Sequence, residues 1–255
     1  MSVLLDKFEE FRKDVINSDH INVLEDNYEI IKSVEDFYNY EEKFSILKGK
    51  TGIDIPKADW ESLATSGLTL DWDRPAESYE EAYMYGGYVI QDLTMCLGYD
   101  DPFWKIDHPS PSDEERLFLE KINYIQRCAH GNDGTYGCLY REQGVYPCPV
   151  YFYDKGLYCK MNLDYDQYYE SMLASSAVSY WQYFYIDIDE IYSRTRDINA
   201  DNINSVYHDE IPEGITKFEA IINHLESNLK LLPDSFPDKD FSYHQKHLEE
   251  LKSKQ

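Results

Sequence analysis

Residues 131–173 read GNDGTYGCLYREQGVYPCPVYFYDKGLYCKMNLDYDQYYESML, and the reading of this stretch decides the fold. Gly131-Asn-Asp-Gly134 is a turn signal and Tyr136–Tyr140 begins an aromatic run. Pro147-Cys148-Pro149 interrupts that run, Val150–Tyr153 resumes it, and Asp154-Lys155-Gly156 turns the chain again before a further strand over Leu157–Leu163. Short aromatic segments punctuated by Gly, Asp and Asn predict antiparallel hairpins, because flat side chains pack well on a pleated surface and the punctuation supplies turn geometry. Asp164 then stands where a carboxylate can accept from first-turn N–H groups, which predicts an N-cap for a helix over Tyr165–Ala174. Hairpins followed directly by a helix imply an α+β fold, an antiparallel sheet packed against helices.

Upstream, Leu4, Leu5, Phe8, Phe11 and Val15 recur at helical spacing, so an amphipathic helix is expected to end near Asn17. A second helix runs from a cap at Ser33 through Lys48, and a short one from Lys57 to Ala64. Leu68–Trp72 is the first expected strand and Arg74–Ser78 a turn. Tyr79–Tyr85 fits helix or strand, and Gly86-Gly87 opens a strand over Tyr88–Leu93. Prolines mark Asp100–Asp113 as loop, and Leu117, Leu119, Ile122 and Ile125 suggest a helix ending before His130.

Downstream, the run Tyr180–Tyr185 reads as a core strand or as an exposed aromatic patch, and Ile186, Ile188 and Ile191 fit a strand or a helix start. A polar linker over Asn199–Pro212, an amphipathic helix over Ile215–Leu232, a Pro233–Pro237 separator and a charged helix over Tyr243–Lys252 complete the chain. We therefore expect an α+β domain over 1–180, with its N-terminal helix, and a mainly helical C-terminal extension over 181–255 packed on it.

With 24 basic against 49 acidic residues, the formal charge is -25. Such a field repels nucleic-acid phosphates and anionic membrane surfaces and speeds encounter with a basic protein, such as a nuclease or a pore-forming toxin. No apolar run reaches the roughly 20 residues of a membrane span, and the start Met1-Ser-Val-Leu-Leu-Asp lacks a basic leader, so a cytoplasmic protein is expected. Cys96, Cys128, Cys138, Cys148 and Cys159 form an odd set without a Cys-x-x-Cys pair, as reduced, buried thiols would.

The chemistry-bearing residues are weighed on spacing. Cys128, His130, Cys138 and Cys148 match no zinc pattern, so neither metal nor cofactor is expected. A Cys-His nucleophile pair would need an orienting group and an oxyanion donor that the sequence does not name. Carboxylates cluster at Asp71 and Asp73, at Asp164 and Asp166, and at Asp187, Asp189 and Glu190. Two of them facing each other in an aromatic cleft would suit a carbohydrate-active enzyme, and regular spacing along one face would suit a nucleic-acid mimic. Among 49 acidic residues such pairs also arise as a solvated face. No catalytic residue is assigned. The expected partner-binding set has Trp72 and Trp181 as aromatic anchors, with Asp71, Asp73, Asp164, Asp166, Asp187, Asp189 and Glu190 as an acidic rim.

The order Glu42, Gly52-Ile-Asp-Ile-Pro56, Trp60, Leu63, Ser66-Gly-Leu68, followed by Asp133-Gly-Thr-Tyr136, Pro149-Val-Tyr151, Asp154-Lys-Gly156 and the helix Asp164–Leu173, resembles the SUKH superfamily. The matches fall between about Tyr40 and Ala174. The Pro-rich insertion after Trp72 and everything after Ala174 depart from the compact pattern. What the resemblance implies is a non-enzymatic binding protein: many bacterial members are immunity proteins that neutralise toxins, often nucleases, and others regulate cell-wall synthesis in fungi.

Overall fold

The computed structural model of the chain describes residues 3–28, 34–57, 68–76, 83–90, 113–127, 134–199 and 211–255. Helix α1 (Val3–Asn17) leads into strand β1 (Asn22–Tyr28), helix α2 (Val34–Thr51), and strands β2 (Leu68–Arg74) and β3 (Met84–Ile90). Helix α3 (Asp113–Leu119) precedes β4 (Ile122–Arg127), β5 (Thr135–Tyr140), β6 (Val150–Asp154) and β7 (Leu157–Met161). Helix α4 (Tyr165–Ala174), a 3-10 turn (Trp181–Tyr185), and helices α5 (Ile188–Thr195), α6 (Lys217–Ser235) and α7 (Ser242–Lys252) complete the order. The seven strands form one sheet in chain order, each antiparallel to its neighbour. The fold is mixed α+β, with helices at its C-terminal end.

The helical spacing read in α1 puts Leu4, Phe8, Phe11 and Val15 on one buried face. There Phe8 meets Tyr88 at 5.1 Å and Tyr169 of α4 at 5.6 Å between ring centroids. Leu68, Leu70 and Trp72 of β2 and the buried face of α6 belong to the same cluster. Trp72 packs edge-on against Phe236, just past α6, at 5.6 Å. The segment after residue 180 thus closes the core that the first strands open. Gly137 explains itself here: a Cβ at that position would lie 1.8 Å from the Tyr168 hydroxyl, which instead donates to Gln126 Oε1 at 2.8 Å.

The middle of the sheet is held by more than its own ladder. Among the described residues, β3 and β4 share only the pairs Val89–Arg127 and Ile90–Gln126. Beside that short seam, the segment after α4 bonds to β3: Gly87 N donates to Ala177 O at 2.8 Å and Ser179 N to Tyr85 O at 3.0 Å. Ser176, Ala177 and Tyr180 take left-handed backbone conformations to make this crossing, a cost that the surrounding contacts must offset. On the other sheet face, Leu119, Ile122, Tyr136, Cys138 and Tyr153 form a second, smaller core, capped by Phe118 stacked on Tyr158 at 4.0 Å.

Several expectations are corrected. Asn22–Tyr28 is a strand, so Leu68–Arg74 is the second strand and not the first. Ile122 and Ile125 do not continue a helix. The chain turns at Glu120-Lys121 into β4, where an odd spacing along a strand puts the two isoleucines on opposite sheet faces. Tyr180–Tyr185 is neither a strand nor an exposed patch but a 3-10 turn in the core. β3 includes its glycines, β7 stops at Met161, and Pro233 sits inside α6, while of the two readings at Ile188 the helix is the one that forms, over Ile188–Thr195. The Ser33 cap, the greater part of the short helix expected over 57–64, Trp60, Leu63, Ser66-Gly67, the turn over 77–78, residues 79–82 and 91–93, the Pro-rich loop up to 112, Cys96, Cys128, His130, the start of the Gly131 turn and the linker over 200–210 lie outside the described residues.

Candidate protein-binding surface

The structure scatters the expected anchors and rim. Trp72 and Trp181 are enclosed in the core and offer no face to a partner. A Cβ on Gly86 would sit 2.4 Å from the Trp72 ring, which shows how closely that ring is held. Asp71 is buried in β2 as well. Asp73 is half-buried and accepts from Asn22 Nδ2 at 3.1 Å and the Tyr83 hydroxyl at 3.0 Å. These four are corrected from an exposed binding set to packing and strand-pairing positions: an aromatic flanked by carboxylates is what one strand of a two-faced sheet looks like in sequence.

The remaining carboxylates are exposed or half-exposed but engaged by the fold. Asp164 caps α4, accepting from Gln167 N at 2.8 Å while the Gln167 side chain accepts from Asp164 N, a reciprocal capping box. Asp166 stands in the first turn, where negative charge complements the helix dipole. Asp187 caps α5 by accepting from Glu190 N at 3.1 Å. Asp189 pairs with Lys254 at 2.6 Å, and Glu190 pairs with Arg194 at 3.2 Å and accepts from Lys160 N at 3.3 Å.

Deeper inside, Asp154 Oδ2 accepts from the Tyr183 hydroxyl at 2.6 Å and pairs with Lys217 at 3.0 Å, with both charged residues buried. Ser179 Oγ and His224 Nε2 are hydrogen-bonded at 2.8 Å nearby. Burial pushes the His224 pKa down to about 4, which keeps the ring neutral at physiological pH. This network ties β6 and the crossing segment to the start of α6. Burial likewise pushes the Cys148 and Cys159 thiols up, to about 11 and about 12. They stay protonated, a poor state for a nucleophile or a metal ligand. Among the described residues no group of His, Cys, Asp and Glu could hold a metal ion, and no helix is long and apolar enough to cross a membrane.

A different set of carboxylates converges. The turn after α1 meets the C-terminal end of α6, where Ser18 Oγ donates to Ser235 O at 2.9 Å and Arg74 donates to Leu231 O at 2.9 Å. A cleft of about 330 Å³ opens there, lined by Asp14, Asp19, Asp234 and Asp238 with Lys239 and His20, and Asp234 also pairs with Arg74 at 3.7 Å. Lys239 is largely committed elsewhere, donating to Leu173 O at 2.7 Å and lying over the Phe11 ring at 4.3 Å. Burial lowers its pKa to about 8, against the pull of Asp14 and Glu10. Asp14 is raised, first by its own burial and then by Glu10 and Asp238, with Lys239 opposing. A carboxylate held uncomfortably charged beside two others is a place where an incoming cation gains free energy.

The two elements that flank the turn at Ser18–His20 also carry exposed apolar side chains. Ile16 at the end of α1 is 46% exposed, and Val23 and Leu24 of β1 are 38% and 50% exposed. Apolar side chains rimmed by exposed carboxylates have the composition of a protein-recognition surface. The residues of this surface were missed in the sequence because they come from three separated segments. The one available signal was negative charge on the outer face of α1 and on both sides of Pro237, which adjacency alone does not join. Comparison with protein-family models, with curated proteins and with solved structures finds no match to this chain.

Proposed function

We propose that the chain is a non-enzymatic, cytoplasmic binding protein that neutralises a basic protein by occlusion, in the manner of a bacterial immunity protein facing its toxin. The observation that carries this reading is the cleft of Asp14, Asp19, Asp234 and Asp238, with exposed Ile16, Val23 and Leu24 on the two elements that flank its turn. A chain of net charge -25 draws a cationic protein over a long range. The cleft gives that attraction a local address and the apolar residues give the docked state its persistence. The SUKH resemblance points the same way. The carboxylates engaged by helix caps and ion pairs contribute to the long-range field but do not form the contact.

The test is co-purification with the product of the adjacent gene, followed by association kinetics. The triple variant Asp19→Asn/Asp234→Asn/Asp238→Asn should associate about tenfold more slowly at low salt, with dissociation much less affected. The difference should shrink as salt rises. An association rate unchanged by the triple variant at low salt would overturn the assignment of the surface.

A further inference from the structure

Strand β1 stands at one end of the sheet and pairs only with β2 among the described residues. Asn22–Asn27 are each exposed, and such an edge leaves every second backbone N–H and C=O directed away from its neighbour. Natural edges are commonly guarded by lysine, proline, a bulge or a covering element. Asn22-Val-Leu-Glu-Asp-Asn-Tyr28 carries no lysine and no proline. Its guards are a register shift between Val23 and Glu25, and negative charge. Asp26 faces inward to α1, where Arg12 grips both of its carboxylate oxygens. Glu25 is exposed, forms no ion pair among the described residues, and sits directly across the β1–β2 ladder from Asp71.

From this geometry, and resting on the binding reading above, we infer that the partner adds an extended, cationic segment to β1 as an eighth strand. One lysine or arginine of that segment would lie across from Glu25, with the segment's end beside Asp19 and the acidic cleft. Main-chain pairing would supply affinity, and alternate side chains would supply specificity. A cation opposite the exposed Glu25 makes a cross-strand charge pair, which an anionic or neutral strand cannot do. The same charge argues against a second copy of this chain as occupant: two edges bearing Glu25, on molecules of net charge -25 each, would repel. The edge is therefore closed to itself and open to a cation.

The experiment uses the full chain, isotope-labelled, with a blocked octapeptide of alternating lysine and valine. A second peptide of identical sequence and charge carries N-methyl groups on alternate backbone amides and cannot join a ladder. Strand addition is expected to slow hydrogen exchange of the outward-directed β1 amides about tenfold or more with the first peptide and not with the second. If both peptides bind alike and shift only the resonances of Asp14, Asp19, Asp234 and Asp238, strand addition is overturned while the acidic-cleft reading stands. If neither peptide perturbs β1 or the cleft, both fail. Protection of β1 that rises with protein concentration in the absence of peptide would overturn the proposal in favour of pairing between copies.

Discussion

Two regions of this molecule carry carboxylates at similar density and use them in opposite ways. In the C-terminal half, Asp154, Asp164, Asp187, Asp189 and Glu190 each answer a particular group of the fold: a buried ammonium, a helix N-terminus, or a neighbouring lysine or arginine. At the junction of α1, β1 and the end of α6, Asp234 meets the Arg74 guanidinium at 3.7 Å, while Asp14, Asp19 and Asp238 crowd with it around an ammonium that is itself turned toward a backbone carbonyl. The first region spends negative charge on holding helices in place. The second accumulates it. Availability for a partner is set by what already answers a charge, not by how many acidic residues stand side by side in the chain.

The sharpest way to break this contrast is at Asp154. Lys217→Met removes the cation and leaves a buried carboxylate facing only the Tyr183 hydroxyl. Breaking a buried pair from one side costs about 3–5 kcal/mol, so denaturant unfolding should show a loss of that order. A loss below about 1 kcal/mol, the scale of a surface pair, would mean that the interior charge is not held as described. Next in size is Asp187→Ala, which removes the cap of α5. Stability should fall by about 1 kcal/mol while association with a cationic protein hardly changes. A large loss of association there would return the surface to the acidic run after Tyr185.

The smallest expected effect concerns pH. Because the Asp14 pKa is raised, its charge is lost on acidification at a higher pH than that of an ordinary aspartate. Its raised pKa also means that ionisation of this group opposes folding. The penalty is present at neutral pH and is relieved as pH falls through the folded pKa. Association should therefore begin to slow at a higher pH than ordinary aspartates would set, and in Asp14→Asn that early step should vanish while neutral-pH stability rises slightly. Stopped-flow association across mildly acidic pH, with thermal unfolding of both proteins, checks the two halves of this expectation.

The stretch from Thr135 to Ala174 was legible because its signals are local. Lys155 and Gly156 take the positive φ values a tight hairpin turn needs, and Asp164 finds its partner three residues on. α1 and α6 were legible from their apolar stripes, and α7 as a charged run after the prolines. β1 was not, because an edge strand exposed on both faces has no buried side to impose alternation, and Asn22-Val-Leu-Glu-Asp-Asn-Tyr28 reads as polar loop. The strand at Ile122 was hidden for a different reason: its two isoleucines serve opposite sheet faces, and their three-residue spacing imitates one face of a helix. Trp181 and its neighbours were legible as core material but not as a 3-10 turn, since aromatic density reports burial and is silent on backbone period. The candidate surface depends on which ends of α1 and α6 meet, a long-range outcome that no local pattern encodes.

The crossing segment after α4 has a consequence for how the molecule is made. Every strand of the sheet precedes it in the chain, yet Ala177 and Ser179 reach back to β3, and α6 lies over β2 beyond them. During synthesis from the N-terminus, the strands leave the ribosome with that face covered in part by α1, and the residues of α6 that complete the cover follow later. A ribosome stalled before α6 would present the cell with a half-finished sheet, the kind of apolar surface that invites aggregation.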